Sequence, residues 1–557
     1  MKNKIIVITL ILSAFLTQSC QEWLSEDLTG TDVVSGEYFK TPAGFEDGIE
    51  GIYGQLKNIW GQEMGFTTRV FGTDIHTEGA DGGHKRINRY EQDIQEDSYW
   101  RNSWRDYYRI INQCNAMIGR AEEVVGMDPG ILKVRVAEAR FLRGWIYFTI
   151  ARTWDGGHLT LEETIGVETK ANWTPASEIY SQAIIPDLEA AAADLPKPGD
   201  ESDYGRANQA AAKFMLGKVY ATLGQYGGST DAGALQKAAD YMDDVINNYG
   251  LSLVNDWGSL WDITKQKNSE SVWTLQNTTD YNINGNGHRG HLYFLMEYDK
   301  LPGMIRDVNN GRPWKRFKPT PFLLGLWDRT VDSRYDLSYK HVWYVNHDDP
   351  SKIPAGLLYG DTAVYIPGPN PGAPVEFGGK GSDAEWDQPR QGTVPYMVIT
   401  ADEYTRKLYP TMNKWIDTSR DHKQRTEGQR DYIVARLADA YLIAAEAYVA
   451  MGQPGKALPY VNAIRTRAAW PGMEAAMQVT AADLDIDYIL DERARELNGE
   501  AHRWFDLVRT NKLIERVKLH NADAQDNIQD YHVRRPIHAE QIDAVEGGYH
   551  QNPGYVQ

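Results

Sequence analysis

Two widely separated stretches of the chain carry paired helical stripes, each pair punctuated by a glycine. Leu437, Tyr441, Ala444, Tyr448 and Met451 recur at steps of four, three, four and three, which places them on one side of a helix. Gly452 ends that helix, and Pro454 opens the next at a position where its missing N–H has no partner to lose. Ala457, Val461, Ile464 and Ala468 form the second stripe. Upstream, Ala210, Phe214, Gly217 and Ala221 form one stripe, Gly224 breaks it, and Leu235, Ala239, Met242, Ile246 and Tyr249 form its partner. Phe141, Trp145 and Phe148 mark a further apolar helix face. Such a chain is mostly α, with Ala and Gly at the positions where helices approach closely.

Helix pairs of this kind resemble tetratricopeptide repeats, but the two pairs lie far apart and match the repeat loosely. They read as repeat-like pairs embedded in one fold. Length alone allows three or four domains for 557 residues, although long helical arrays run as one unit. Residues 276 to about 424 differ: Gly, Pro, Asn, Asp and aromatics dominate, stripes vanish, and Pro367 to Gly372 is a turn cluster. The alternating run His341 to Val345 predicts a strand. The stretch 60–103 also shows few stripes and many glycines. A long irregular insertion in a compact fold is usually functional, so these two regions are the expected ligand surface.

The N-terminus reads as an export signal. Lys2 and Lys4 precede an apolar run from Ile5 to Leu16 that is too short to span a bilayer. The run exits through Leu16-Thr-Gln-Ser-Cys20, which suits lipidation of Cys20, although Thr17 stands where Leu is preferred. An ordinary secreted protein is the alternative. Gln21 to Asp27 is acidic and reads as a solvated tether or a surface-export address. A net charge of −19 leaves no strongly basic surface and argues against nucleic acid as partner. Cys114 is the one other cysteine; with Cys20 lipidated, no internal disulfide can form.

Two motif matches are weak. Gly285-Asn-Gly-His-Arg-Gly290 has dinucleotide-fingerprint spacing, but the nearest strand-like run, Ser271 to Leu275, ends well before it. Asp280 to Gly285 copies the first half of a calcium loop, yet the twelfth position holds His291 instead of a bidentate Glu. A polar turn is the better reading, and neither metal nor cofactor is expected. HExxH, GxSxG and GxxxxGK[ST] motifs are absent from the sequence.

The segment Glu492-Arg-Ala-Arg-Glu-Leu-Asn-Gly-Glu-Ala-His-Arg-Trp-Phe-Asp-Leu-Val-Arg509 resembles the signature of the SusD/RagB family, with Ala501 where Gly is usual. Trp104, Tyr108, Ile111 and Asn115 resemble the family's first long helix, and Glu138 to Arg143 with Tyr147 and Phe148 its second. Arg436 to Leu442 with Ala445 to Ala447 is similar to its late repeat helix, and Gln551 to Tyr555 to its closing motif. From the residues alone, Arg493 with Glu496 and Glu500 with Arg503 stand three apart and are expected to pair along one helix. Charges so closely balanced read as a structural ion network, with Trp504 packing beneath.

The resemblance implies a SusD-like fold: signal peptide 1–19, tether 20–40, and one domain 41–557. Within it, a helical scaffold (about 41–275 and 425–510) carries a loop-rich ligand-binding region (about 276–424). It also implies an outer-membrane, cell-surface lipoprotein of polysaccharide utilisation. Such a protein captures oligosaccharide or polysaccharide and delivers it to a TonB-dependent transporter, a SusC-like barrel docked on the helix-pair face. The resemblance implies a binder and not an enzyme. The binding residues do not transfer with the resemblance; residue type and place suggest Trp100 and Trp314 as stacking rings, with Tyr281, Tyr293, Asp74, Arg86, His288 and Arg312 as further contacts. A surface glycoside hydrolase, or a peptide-uptake component on the same scaffold, is the alternative.

Overall fold

The computed structural model describes residues 37–202, 204–369, 394–546 and 549–556. The expected signal segment, Cys20 and most of the tether lie outside the described residues, as does part of the Pro367–Gly372 cluster.

Helices dominate. In chain order we label α1 Pro42–Leu56, α2 Glu63–Val70, α3 Ser98–Arg120, α4 Pro129–Trp154, α5 Ile185–Asp194, α6 Gln209–Leu223, α7 Ala232–Asn248, α8 Leu437–Ala450, α9 Pro454–Ala468, α10 Ile486–Leu497 and α11 Arg503–Arg509. Pro129 and Pro454 each open a helix, and Asp97, Asp128, Asn208 and Asp231 accept backbone N–H groups as N-caps. Gly452 takes the left-handed backbone (φ 71°) that stops α8.

Neighbouring helices pack in the sequence α3, α4, α5, α6, α7, α8, α9, so the two helix pairs read from the sequence stand side by side in one array. The stripe Ala457, Val461, Ile464, Ala468 is fully buried. A Cβ on Gly217 would meet Met242 Cε at 2.6 Å, which explains a glycine at that α6–α7 contact. On α8 the expected stripe understates the burial, because Ala438, Ala440, Leu442, Ile443 and Ala445 are buried too. That helix lies between neighbours on several sides. Among the described residues no helix is long and apolar enough to cross a membrane.

Strands are short. We label β1 His76–Glu78, β2 Ser271–Leu275, β3 Phe317–Pro319, β4 Val342–Tyr344, β5 Thr362–Tyr365, β6 Met397–Val398 and β7 Tyr432–Arg436. β1 pairs antiparallel with β3, β2 with β7 and β4 with β5, while β5 and β6 run parallel. The predicted strand at 341–345 is β4. The stretch 60–103, expected to be irregular, contains α2 and the start of α3. Every residue of α2 from Met64 to Val70 is buried, so no apolar stripe reveals it.

The 492–509 segment is two helices, α10 and α11, and most of its charges pair across elements, although Glu492–Arg495 and Asp506–Arg509 also pair within a helix. Glu492 accepts from Arg334 (2.8 Å), Arg465 (2.9 Å) and Arg495 (2.8 Å). Glu496 accepts from Arg334 (2.9 Å), Arg436 (2.7 Å) and Arg467. Glu500 takes Arg436 (2.7 Å) and Lys414 (2.9 Å), and Arg436 also holds Glu270 (2.7 Å). Arg493 pairs with Asp506 (2.9 Å) and Asp439 (2.8 Å), and Arg503 with Asp74 (2.6 Å). The expected Arg493–Glu496 and Glu500–Arg503 pairs do not form, because each group finds a partner on another element. Arg334 and Lys414 belong to the loop-rich region, so this buried network ties the loops to the helices. Trp504 is fully buried beside it, 4.3 Å under the Arg535 guanidinium.

Two predictions follow from this wiring. Removing one partner of a buried pair strands the others, so Arg436→Met should cost about 3–5 kcal/mol in urea unfolding; a loss under about 1 kcal/mol would show the network to be dispensable. Against the penalty of burial, cations hold Asp74 at about 2 and Glu496 at about 2. An unfolded carboxylate titrates near ~4. The folded values are depressed, so this stability is present above about pH 5 and is lost as pH falls from about 4 toward 2. Urea midpoints measured across that range should fall in that window.

Candidate ligand-binding site

The segment 311–316 folds back on the short helix Gly290–Tyr293: Trp314 N donates to Leu292 O (2.8 Å) and Arg316 N to Tyr293 O (2.9 Å). Lys315 occupies the left-handed region (φ 43°), held there by its ammonium on Glu297 (2.6 Å) and Asp81 (3.1 Å). A strained non-glycine residue sustained by specific partners marks a place where side-chain direction matters. Gly79 N donates to Arg316 O (2.8 Å), and a Cβ on Gly79 would lie 2.1 Å from Lys315 O, so only glycine allows this approach.

Trp314 emerges half-buried from that loop with Arg316 at 5.0 Å and Arg312 at 5.7 Å from its ring. Arg316 is fixed by Glu63 of α2 (2.6 Å), and Arg312 by Gln424 O (2.9 Å). Beside the Glu63–Arg316 pair stands Tyr99, the second residue of α3. Its phenol is raised by burial and by the nearby Glu63 carboxylate. His84 stacks on Tyr99 at 3.4 Å and 16°, with His84 Nδ1 2.7 Å from Asp97 Oδ1. Asp97 also accepts Tyr99 N (3.0 Å), so the N-cap of α3 sets both rings. Across the face, the Arg425 guanidinium lies 4.0 Å over the Tyr281 ring, and Gln429 donates to the Tyr281 hydroxyl (2.7 Å). Residues 421–427 therefore connect Tyr281 to Arg312 and Trp314.

Of the expected contacts, Trp314, Arg312 and Tyr281 come together on this face. The others do not reach it. Trp100 is buried, its Nε1 donates to Ile94 O (3.0 Å), and it presents no ring face to a ligand. Tyr293 is a buried ring beneath Trp314, 6.0 Å away. His288 is buried among Phe66, Trp415 and Tyr432, and burial, with Arg430 and His291, pushes its pKa down to about 3. Asp74 is the buried partner of Arg503 and Arg516, and the half-buried Arg86 turns to Asp93 (2.9 Å). The residues missed were Tyr99, His84, Glu63 and Arg316. A signal for Tyr99 existed: Trp100, Trp104, Tyr107 and Ile111 recur at steps of four, three and four on the buried face, and Tyr99 stands off that stripe.

Asp280 Oδ1 accepts from Asn282 N (2.9 Å), and Asn284 Nδ2 donates to Gly428 O (3.0 Å), so the calcium-loop look-alike is a self-capped polar turn. Gly285 and Gly287 of the fingerprint look-alike take left-handed backbone conformations at the end of this turn and just after it.

Chemically, the face offers ring surfaces that stack on apolar sugar faces and fixed guanidinium donors for hydroxyls. The neighbouring acids are engaged: Glu63 by Arg316, Asp97 by His84 and Glu297 by Lys315. Burial raises Asp431 to about 6, but it is enclosed and accepts from Asn277 N (2.9 Å). Hydrolysis of a glycosidic bond needs a poised acid opposite an open carboxylate. The described residues of this face present no such pair. The assignment of rings to core and surface is testable: Trp100→Ala should cost about 3–5 kcal/mol in denaturant unfolding, and Trp314→Ala under about 1 kcal/mol. Equal losses would contradict it.

Comparison with known proteins gives a consistent result. Residues 40–221 match a family model described as starch-binding, associating with the outer membrane. SusD-like protein P25 of Formosa agariphila is 24% identical over 580 residues, spanning 98% of this chain and 99% of its own. A solved laminarin binding SusD-like protein superposes with TM-score 0.67 at 22% identity, covering 92% of this chain and 100% of its own. A SusD homolog from Bacteroides thetaiotaomicron gives TM-score 0.71 at 19% identity, covering 95% and 100%. Residues 234–555, more than half of the sequence, match the model described as SusD family, and the chain belongs to that family.

Proposed function

We propose that this protein is a lipid-anchored cell-surface binder that captures oligosaccharide on the face around Trp314 and delivers it to a TonB-dependent outer-membrane transporter. The observation that carries the reading is the meeting of half-exposed rings, Trp314 and the His84–Tyr99 stack, with guanidinium groups fixed by Glu63 and Gln424. Family membership, the starch-binding description of the N-terminal match and the laminarin-binding fold neighbour support it. In this reading residues 1–19 are removed on export, Cys20 carries the acyl chains, 20–40 form the tether, and 41–557 act as one unit. The α6–α9 array docks the SusC-like barrel, as stacked helix pairs commonly bind protein surfaces. An open face of this kind binds modestly, with Kd of roughly micromolar to millimolar.

Retention in affinity gels cast with plant and host polysaccharides tests the reading. Trp314→Ala combined with Tyr99→Ala should weaken retention by roughly tenfold or more while the melting curve barely moves. Unchanged retention would remove these rings from the site. Release of reducing ends by the purified protein would point to a hydrolase, and a glycan array without hits alongside peptide binding would point to peptide uptake.

A further inference from the structure

Arg152 stands in the last turn of α4 without a counter-charge. Its guanidinium is clamped between two phenyl rings, 4.3 Å from Phe148 and 3.8 Å from Phe505. Its Nε is buried without a hydrogen-bond partner, and no hydrogen bond or ion pair joins Arg152 to another described residue. The nearest acids are already engaged. Asp155 pairs with Arg534 (2.6 Å) and accepts the Tyr226 hydroxyl, while Glu446 and Asp506 hold Arg509. Burial, with Arg69 and Arg509 of like sign, pushes the pKa of Arg152 down to about 9, so the group keeps its charge at neutral pH.

Arg152 borders a cavity of about 110 Å³, lined also by Tyr180, Tyr226, Phe505, Asn511 and Arg534. The Tyr180 hydroxyl, like the guanidinium, has no hydrogen-bond partner among the described residues. None of the residues around Trp314 lines this cavity. Arg152 is partly exposed, but its Nε is buried and its guanidinium lies against two rings, so much of its hydration is lost without a counter-charge, which an anion in the cavity would supply. Two free donor groups facing one small cavity, with the local carboxylates committed elsewhere, define an oxyanion site. We propose that this cavity binds a small oxyanion, between acetate and phosphate in size, through Arg152 and Tyr180. The bound anion would join the end of α4 to α11 and to the 533–534 segment.

Isothermal titration of the intact protein with sodium phosphate, sulfate and acetate, at ionic strength held constant with chloride, tests this. At least one of these probes should bind saturably at one site per chain. Arg152→Gln should weaken that binding by roughly tenfold to a hundredfold, and Tyr180→Phe should weaken it less. Circular dichroism establishes that each variant is folded; where Arg152→Gln does not fold, Tyr180→Phe carries the test. Absence of saturable binding by all three probes, or binding unchanged in every folded variant, would overturn the proposal.

Discussion

Arg334 and Arg436, buried between Glu492, Glu496 and Glu500, are the contact on which the rest of the architecture depends. Each charge carries a large desolvation penalty that only close, multiply hydrogen-bonded partners offset. A network of this kind forms only when its contributors arrive together: α9, α10, the turn after it, β7, the residue before β2, and two points of the loop-rich region. It therefore sets the placement of loops that have little regular hydrogen bonding of their own. The same burial excludes a catalytic reading of the 492–509 charges, because no substrate reaches them.

The candidate site rests on that framework. Beneath Trp314 lie Tyr293, Phe66, Phe294 and Phe317, packed largely edge to face. Rings packed on such a base lose little freedom when a ligand arrives, which favours weak but usable binding. Arg316 is oriented by Glu63 from α2, and Tyr99 by Asp97 at the start of α3, so the helical array reaches into the site through two helix starts.

Much of this was legible in the sequence, for identifiable reasons. Helix periodicity with Gly452 and Pro454 as punctuation located α8 and α9, and Ala and Gly at the contacts signalled close packing. The loop-rich composition of 276–424 located Trp314, Arg312 and Tyr281. What failed were inferences that needed the third dimension. Asp74 and His288 are polar residues in exposed-looking stretches, yet each is internal, one compensated by two arginines and the other desolvated to neutrality. Trp100 and Tyr99 are adjacent, and helical geometry sends the larger ring inward. Sequence spacing shows only local neighbours, whereas partners such as Arg334 and Glu492, Arg436 and Glu500, and Arg503 and Asp74 lie far apart in the chain.

A crystal structure with a bound oligosaccharide tests the Trp314 face. A sugar ring should lie against Trp314, with hydroxyls within hydrogen-bond reach of Arg312 or Arg316. A ligand seated elsewhere, with Trp314 and Tyr99 untouched, would contradict it.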